Sequence, residues 1–440
     1  MGRSADLLWT DSGNGGFVVR AKWMRAAAAT VALGLGVTLS GCGTTPSGPA
    51  GGDDEITITF WDHEQSSKEM DAAYQQAAEA FKKTHPNVTV EIQTFPFEQY
   101  QEKLLIAVKG NQGPDVMSLD QPWVPQFAES GVTLAIDDQI AASQAVKQDQ
   151  FFPAAWDSTI WKDKQWAVPL GFDVWSQLVW NPDLFTKAGL DPEKPPATWA
   201  ELLEYAEKLT GDGQYGIVLP SAKSEVIPVF NNAFIRTNGG AIIDDGGAVV
   251  IDSPENLETY TYLYRDLVKF APEGMPSMDQ GAAEAMFTSG KVAMMFNGNW
   301  SQETLAAQAS FDWRIAVPPV PEPGVTFHGA TGGWNLAVSA NSEHPKEAFE
   351  FIEFITTTVD VQVAVAANTP AFIPAAEVYL KDRKFPEVLL EMSENGMPRP
   401  KTPVYPKVSE IQQAGVQRMI QGEDIAAGME EMQAQIEAAT

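Results

Sequence analysis

Cysteine is nearly missing from this 440-residue chain: Cys42 stands alone, so no disulfide can form within it. Histidine is scarce as well. His63, His85, His328 and His344 are dispersed, and no cluster has the spacing of a metal site. Positive charge is short, with 29 Lys and Arg against 58 Asp and Glu and a net charge of −29. A polyanion is repelled by such a chain, so nucleic acid is excluded as a partner, and the acidity reads as a device for solubility. The sequence also lacks G-x-S-x-G, H-E-x-x-H, a P-loop and a D-x-D-x-D-G calcium loop. Nothing in these patterns calls for a metal or a cofactor.

What is present has an ordinary soluble composition, 44% hydrophobic and 20% charged. The length exceeds what one hydrophobic core usually serves, so two domains are expected. Near the start, Arg20, Lys22 and Arg25 precede the 14-residue, mostly apolar stretch Ala26 to Leu39, too short to span a bilayer. Leu39-Ser40-Gly41-Cys42 follows. Residues 1–41 therefore read as a signal peptide. The Cys42 context resembles a bacterial lipobox, which implies acylation of the thiol and stable attachment to a membrane. Met24 is an alternative start. Residues 42–54, rich in Gly, Pro, Thr and Ser, read as a flexible tether.

From Ile56 the pattern alternates between strands and helices. Ile56 to Trp61 is a strand, and Ser66 with Glu69 opens a helix whose inner face is Tyr74, Ala77, Ala78 and Phe81. Val88 to Ile92 is the next strand, Phe97 to Val108 a second helix, and Asp115 to Leu119 a third strand. These are βαβ units of a parallel sheet. Asp62-His63-Glu64 follows the first strand and Asp120 the third, so these side chains should open onto one edge of the sheet, with Trp123 in the next loop. Carboxylates at that edge accept charge-assisted hydrogen bonds from hydroxyls, although each alone is as often a helix cap. Trp156, Trp161 and Trp166 read as packing and hairpin residues. Asn231 and Asn232, ahead of a helix containing Phe234 and Ile235, offer side-chain amides or simply polar surface. Pro254 to Phe270 and Val408 to Ala439 read as helices.

Two further stretches stand out. In GKVAMMFNGNW (residues 290–300) the apolar run Val292 to Phe296 reads as a buried strand, with Trp300 just past its carboxyl end. In GATGGWNLAVS (residues 329–339) Gly332 and Gly333 admit close backbone approach beside Trp334. Either tryptophan alone is better explained by core packing. Two at glycine-containing loops favour a wall of a ligand site, because the C–H faces of a pyranose pack well on indole.

These two patterns, G-K-V-A-M-x-x-x-G-x-W followed by G-G-W-x-L-A-V-S, resemble the extracellular sugar-binding proteins of ABC importers, the large solute-binding family that includes maltose-binding protein. The resemblance runs from about Ile56 onward. It implies an α/β, two-lobed periplasmic-binding-protein-like fold of type II with three crossings between the lobes. Residues 55–169 and 335–380 then form the N-terminal lobe, and residues 170–334 and 381–440 the C-terminal lobe. It also implies ligand contacts at Asp173 and Arg399, with Trp175 on the floor of the cleft. From the residues alone, Arg399 in Met397-Pro398-Arg399-Pro400 is as good a candidate for an interdomain salt bridge. Together the expected ligand set is Asp62, His63, Glu64, Asp120, Trp123, Asp173, Trp175, Asn232, Trp300, Gly332, Gly333, Trp334 and Arg399. The implied function is capture of a sugar, without chemistry on it, by a lipid-anchored monomer at the outer membrane face that serves an ABC permease. The competing readings are a receptor for polyamine or glycerol phosphate and a secreted glycoside hydrolase.

Overall fold

Three of the four β-sheets among the described residues carry the architecture, and one of the two four-stranded sheets joins the other two. The computed structural model describes residues 55–63, 68–95, 97–219, 221–244, 246–365, 369–381 and 383–440. Cys42, the tether, Glu64 and the capping position Ser66 lie outside the described residues.

The first sheet has the order Val88–Phe95, Ile56–His63, Val116–Asp120, Trp334–Val338, Val168–Pro169. Its first three strands are parallel, with Ile56 opposite Val88 and Phe60 opposite Val116. Helices Lys68–Thr84 and Phe97–Lys109 make the two connections. Tyr74, Ala77, Ala78 and Phe81 are all buried, as their 3.6-residue spacing predicts. Phe60 meets Tyr74 at 5.5 Å and Phe351 at 5.9 Å between ring centroids. The second of these rings comes from helix Pro345–Thr357, whose Ala348, Phe351, Ile352 and Ile355 have no exposed surface. Burying a phenylalanine of this kind contributes roughly 1.5–3 kcal/mol.

The second sheet has the order Arg314–Ala316, Gln177–Trp180, Val292–Asn297, Tyr215–Val218. Val292–Asn297 is buried at every position, in keeping with its unbroken apolar run. The third sheet is Thr369–Pro370, Gly171–Val174, Ala330–Gly332, Met397–Pro398. Two of its strands continue directly into the first sheet, through Leu170 alone and through Gly333 alone. Gly333 has φ +127°, and a Cβ there would lie 2.1 Å from the Gly171 carbonyl oxygen. Only glycine permits that approach.

Some helices differ from their sequence pattern. Pro254–Thr261 is α-helical, Tyr262–Asp266 widens into a π turn, and Leu267–Phe270 tightens into a 3₁₀ turn. The widening lets Tyr262, Leu263 and Tyr264 all turn inward, with Tyr262 stacked on Trp199 at 4.3 Å. The C-terminal helical stretch is two helices, Tyr405–Ile420 and Ile425–Glu437. They are separated at Gly422, φ +105°, and Asp424 caps the second. Asn231 and Asn232 lie inside helix Val226–Thr237, not ahead of it, and both are fully buried. Among the described residues no helix is long and apolar enough to cross a membrane.

Candidate functional site

Asp62 and His63 close the strand Ile56–His63, and Asp120 closes Val116–Asp120, so the sheet delivers them to one edge. Asp62 is buried. It accepts from the His63 backbone N–H at 2.9 Å and from the Ser118 hydroxyl, and it lies 2.9 Å from His63 Nδ1. Burial pushes the Asp62 carboxyl up, but the neighbouring His63 and these hydrogen bonds outweigh it and hold it below the ordinary carboxylate range. The His63 ring stacks on Trp334 at 3.6 Å with an interplanar angle of 13°. Trp123 meets Trp334 edge-on at 5.7 Å and 90°. In the antiparallel register, Trp334 is opposite Asp120.

A second aromatic group forms on the third sheet. Trp175 follows strand Gly171–Val174, and its ring meets Trp300 at 4.4 Å and 65°. Trp300 folds back over Gly298, where a Cβ would lie 2.0 Å from the indole. That close approach explains the glycine between Asn297 and Asn299. Asp173 lies in the same strand, its backbone paired with Gly332. A Cβ at Gly332 would lie 3.0 Å from Trp175 Nε1 and 3.5 Å from Arg399 Nη2. Both glycines of the motif therefore make room for atoms of the protein itself: Gly332 for an indole and a guanidinium, Gly333 for a neighbouring strand.

Arg399 sits at the centre, 5% exposed, just past strand Met397–Pro398. Nη1 donates to Asp120 Oδ2 at 3.0 Å and Nη2 to Asp120 Oδ1 at 2.5 Å, a bidentate fork. Nη1 also donates to Glu225 Oε1 at 2.7 Å. The hydroxyls of Tyr405 and Ser409 donate to the same Glu225 carboxylate, one to each oxygen. Burial pulls the Arg399 guanidinium down, but Asp120, with Tyr405 and Glu225, more than offsets it, and the group stays cationic. Burial raises Glu225, and Asp120 adds to that, against the opposing pull of Arg399 and the two hydroxyls.

Asn232 holds this arrangement from behind, its Nδ2 donating to the Pro398 carbonyl at 3.3 Å. Asn231 is taken up by Tyr260 and Tyr264. Glu225, Tyr405 and Ser409 were not among the sequence candidates. A charged residue in Lys223-Ser224-Glu225 reads as solvated surface, and only the approach of Arg399 from 174 positions away gives it a role. A cavity of about 180 Å³ opens beside the cluster, lined by Gln101, Asp120, Trp123, Glu225, Tyr405 and Ser409 among others. Several buried polar atoms here have no protein partner among the described residues: Trp175 Nε1, Thr331 Oγ1, Asn232 Oδ1, Arg399 Nε and both amide atoms of Gln121. Such groups cost free energy unless water or a ligand completes them. Among the described residues no group of three His, Cys, Asp or Glu side chains is arranged to hold a metal ion.

Two α/β sheets joined by a sheet of crossing strands, with indoles and acids gathered at the junction, make a two-lobed periplasmic-binding-protein-like fold of type II. The chain belongs to the bacterial extracellular solute-binding protein family, whose profile matches residues 65–361. It is 26% identical over 331 residues to the maltotriose-binding protein of Pyrococcus abyssi, covering 74% of this chain and 68% of that protein. The GacH receptor of Streptomyces glaucescens, solved unliganded and with acarbose, superposes with a TM-score of 0.74 at 26% identity, covering 88% of this chain and 98% of that one. An ABC substrate-binding protein from Listeria monocytogenes in complex with cycloalternan shares the fold, with a TM-score of 0.77 at 23% identity, covering 88% of this chain and 99% of that one.

Proposed function

We propose that the protein captures a sugar, an oligosaccharide by the pattern of its relatives, between two lobes and presents it to an ABC import permease. The lobes are residues 55–169 with 335–380, and residues 170–334 with 381–440. One observation carries the reading: Arg399 binds Asp120 from the first sheet and Glu225 from the helix-bearing opposite side, among four indoles. Trp123, Trp175, Trp300 and Trp334 supply flat faces for pyranose rings, and Asp62, His63, Glu64, Asp120 and Asp173 take their hydroxyls. The Gly332-Gly333 backbone and Asn232 position Trp175 and Arg399. Relatives that bind maltotriose and acarbose support the assignment.

A ligand that touches both lobes favours the closed arrangement, and the closed arrangement is what a permease distinguishes. No chemistry on the sugar is needed. A glycoside hydrolase needs one carboxyl free to give its proton and another free to attack or to activate water. Here Asp120 and Glu225 share one guanidinium. Acylation at Cys42 anchors a monomer to the outer face of the cytoplasmic membrane, and the tether lets it stand off the surface.

The test is a thermal-shift screen with glucose, galactose and mannose and their di- and trisaccharides, maltotriose included. At least one is expected to raise the melting temperature. Calorimetry on Trp300→Ala and Trp334→Ala should then show affinity for that sugar reduced about tenfold or more. If no sugar stabilises the protein, or both variants bind it as tightly as the parent, the assignment is wrong.

A further inference from the structure

We infer that Glu225 is a specificity-determining residue that excludes acidic sugars from the site. The inference rests on the sugar-binding reading and names the charge class of the ligand.

Arg399 is the only buried lysine or arginine among the described residues. A bare guanidinium in a cleft is a fork for carboxylate or phosphate and would select anionic ligands. Here three of its five N–H groups are already taken. Asp120 takes one N–H from each terminal nitrogen, and Glu225 takes the second on Nη1. Asp120 alone balances the cation, so Glu225 is the second acid, and it leaves the ionised trio with a net charge of −1.

Glu225 is also built into its place. Its two oxygens accept from Tyr405 and Ser409 on helix Tyr405–Ile420, while Arg399 approaches from the crossing sheet. It keeps 21% of its side-chain surface open and helps line the 180 Å³ cavity. The cavity wall therefore carries two carboxylates and no lysine or arginine. A sugar hydroxyl donates to such a wall. A uronate or sugar phosphate brings a like charge into a site where water screens it poorly, and like-charge juxtaposition in an interface is strongly unfavourable.

A purely structural Glu225 would behave differently. Glu225→Gln keeps the shape and most of the hydrogen bonding, so a structural role would alter neutral and acidic ligands alike. A charge filter alters their ratio. The experiment measures calorimetric Kd values for matched pairs differing only at C6: glucose and glucuronate, galactose and galacturonate, and their di- and trisaccharide counterparts. In the parent protein the neutral member of the bound pair is expected to win by at least roughly tenfold to hundredfold. In E225Q that ratio should fall at least tenfold.

An unchanged ratio in a folded E225Q overturns the filter, as does a parent protein that takes uronate as well as the neutral sugar. Glu225→Ala, read by the same ratio, serves if E225Q does not fold. If no neutral sugar binds the parent protein, the sugar-binding reading itself has failed and the filter falls with it.

Discussion

Replacing Arg399 by glutamine removes the cation and leaves its two acids in place. Asp120 is buried, and Glu225 is largely so. Three charge-assisted hydrogen bonds disappear, at 3.0, 2.5 and 2.7 Å. Bonds of this kind are worth about 1.5–3 kcal/mol apiece, but they are not additive because they share one group. Breaking a buried pair by removing one partner costs about 3–5 kcal/mol, and that is the loss expected at neutral pH. The loss should also depend on pH. Without the guanidinium, two carboxylates face each other in a poorly solvated site, and one of them takes a proton more readily than in the unfolded chain. A carboxyl whose folded pKa is raised stabilises the fold below the unfolded value and loses that contribution as pH rises through the folded value. The deficit of R399Q is therefore smallest around pH 4–5 and largest around pH 7–8. Urea unfolding followed by tryptophan fluorescence at both pH values measures it, and the double variant R399Q/D120N should recover part of the loss. A deficit below about 1 kcal/mol at neutral pH, or one equal at both pH values, would mean that the cluster behaves as a solvated surface pair, and the reasoning would fail.

Two shorter predictions concern backbone geometry. Gly333→Ala adds a Cβ 2.1 Å from the Gly171 carbonyl oxygen at φ +127°, so it should cost at least about 2 kcal/mol and lower the melting temperature. A variant that melts with the parent protein would show that the two strands are not held this close. Ser176 is a buried non-glycine residue at φ +76°, and its hydroxyl has no protein partner among the described residues. Ser176→Gly should therefore stabilise the protein by about 1 kcal/mol in urea unfolding, and a clear loss would point to a hidden partner for the hydroxyl.

The parts of the fold visible in the sequence are those whose period is long enough to show. The Tyr74 to Phe81 helix face and the Val292 to Phe296 run each repeat over several residues, and both are buried as their patterns require. The crossing sheet is different. Two of its strands, Thr369–Pro370 and Met397–Pro398, are two residues each and contain proline, so they have no period to read. Their pairing comes from neighbours far away in sequence. The same limit hid Asn231 and Asn232 inside a helix, because an asparagine pair normally signals a turn. What overrides that preference is a set of partners, Tyr260, Tyr264 and the Pro398 carbonyl, that only the folded chain brings near.

The glycines of the second tryptophan motif show how the crossing and the site are linked. The sequence suggested that they leave space for a ligand, whereas Gly332 faces Trp175 and Arg399 and Gly333 faces Gly171. One continuous stretch, Ala330 to Val338, therefore pairs with the Asp173 strand, with the strand that presents Arg399, and with the strand ending at Asp120. Trp334 and Asp120 belong to the first sheet through their shared register, while Trp175 and Arg399 belong to the crossing sheet. Two of the connections between them narrow to one residue each, Leu170 and Gly333. A rotation of the first sheet at those two points would carry Trp334 and Asp120 away from Trp175 and Arg399 together, and it would separate the ion pair that joins them. A ligand packed between the two aromatic groups, as proposed, would oppose that same rotation. On the proposed function, closure of the lobes and completion of the binding site would then be one displacement, governed by the backbone at Leu170 and Gly333 and by the charges around Arg399.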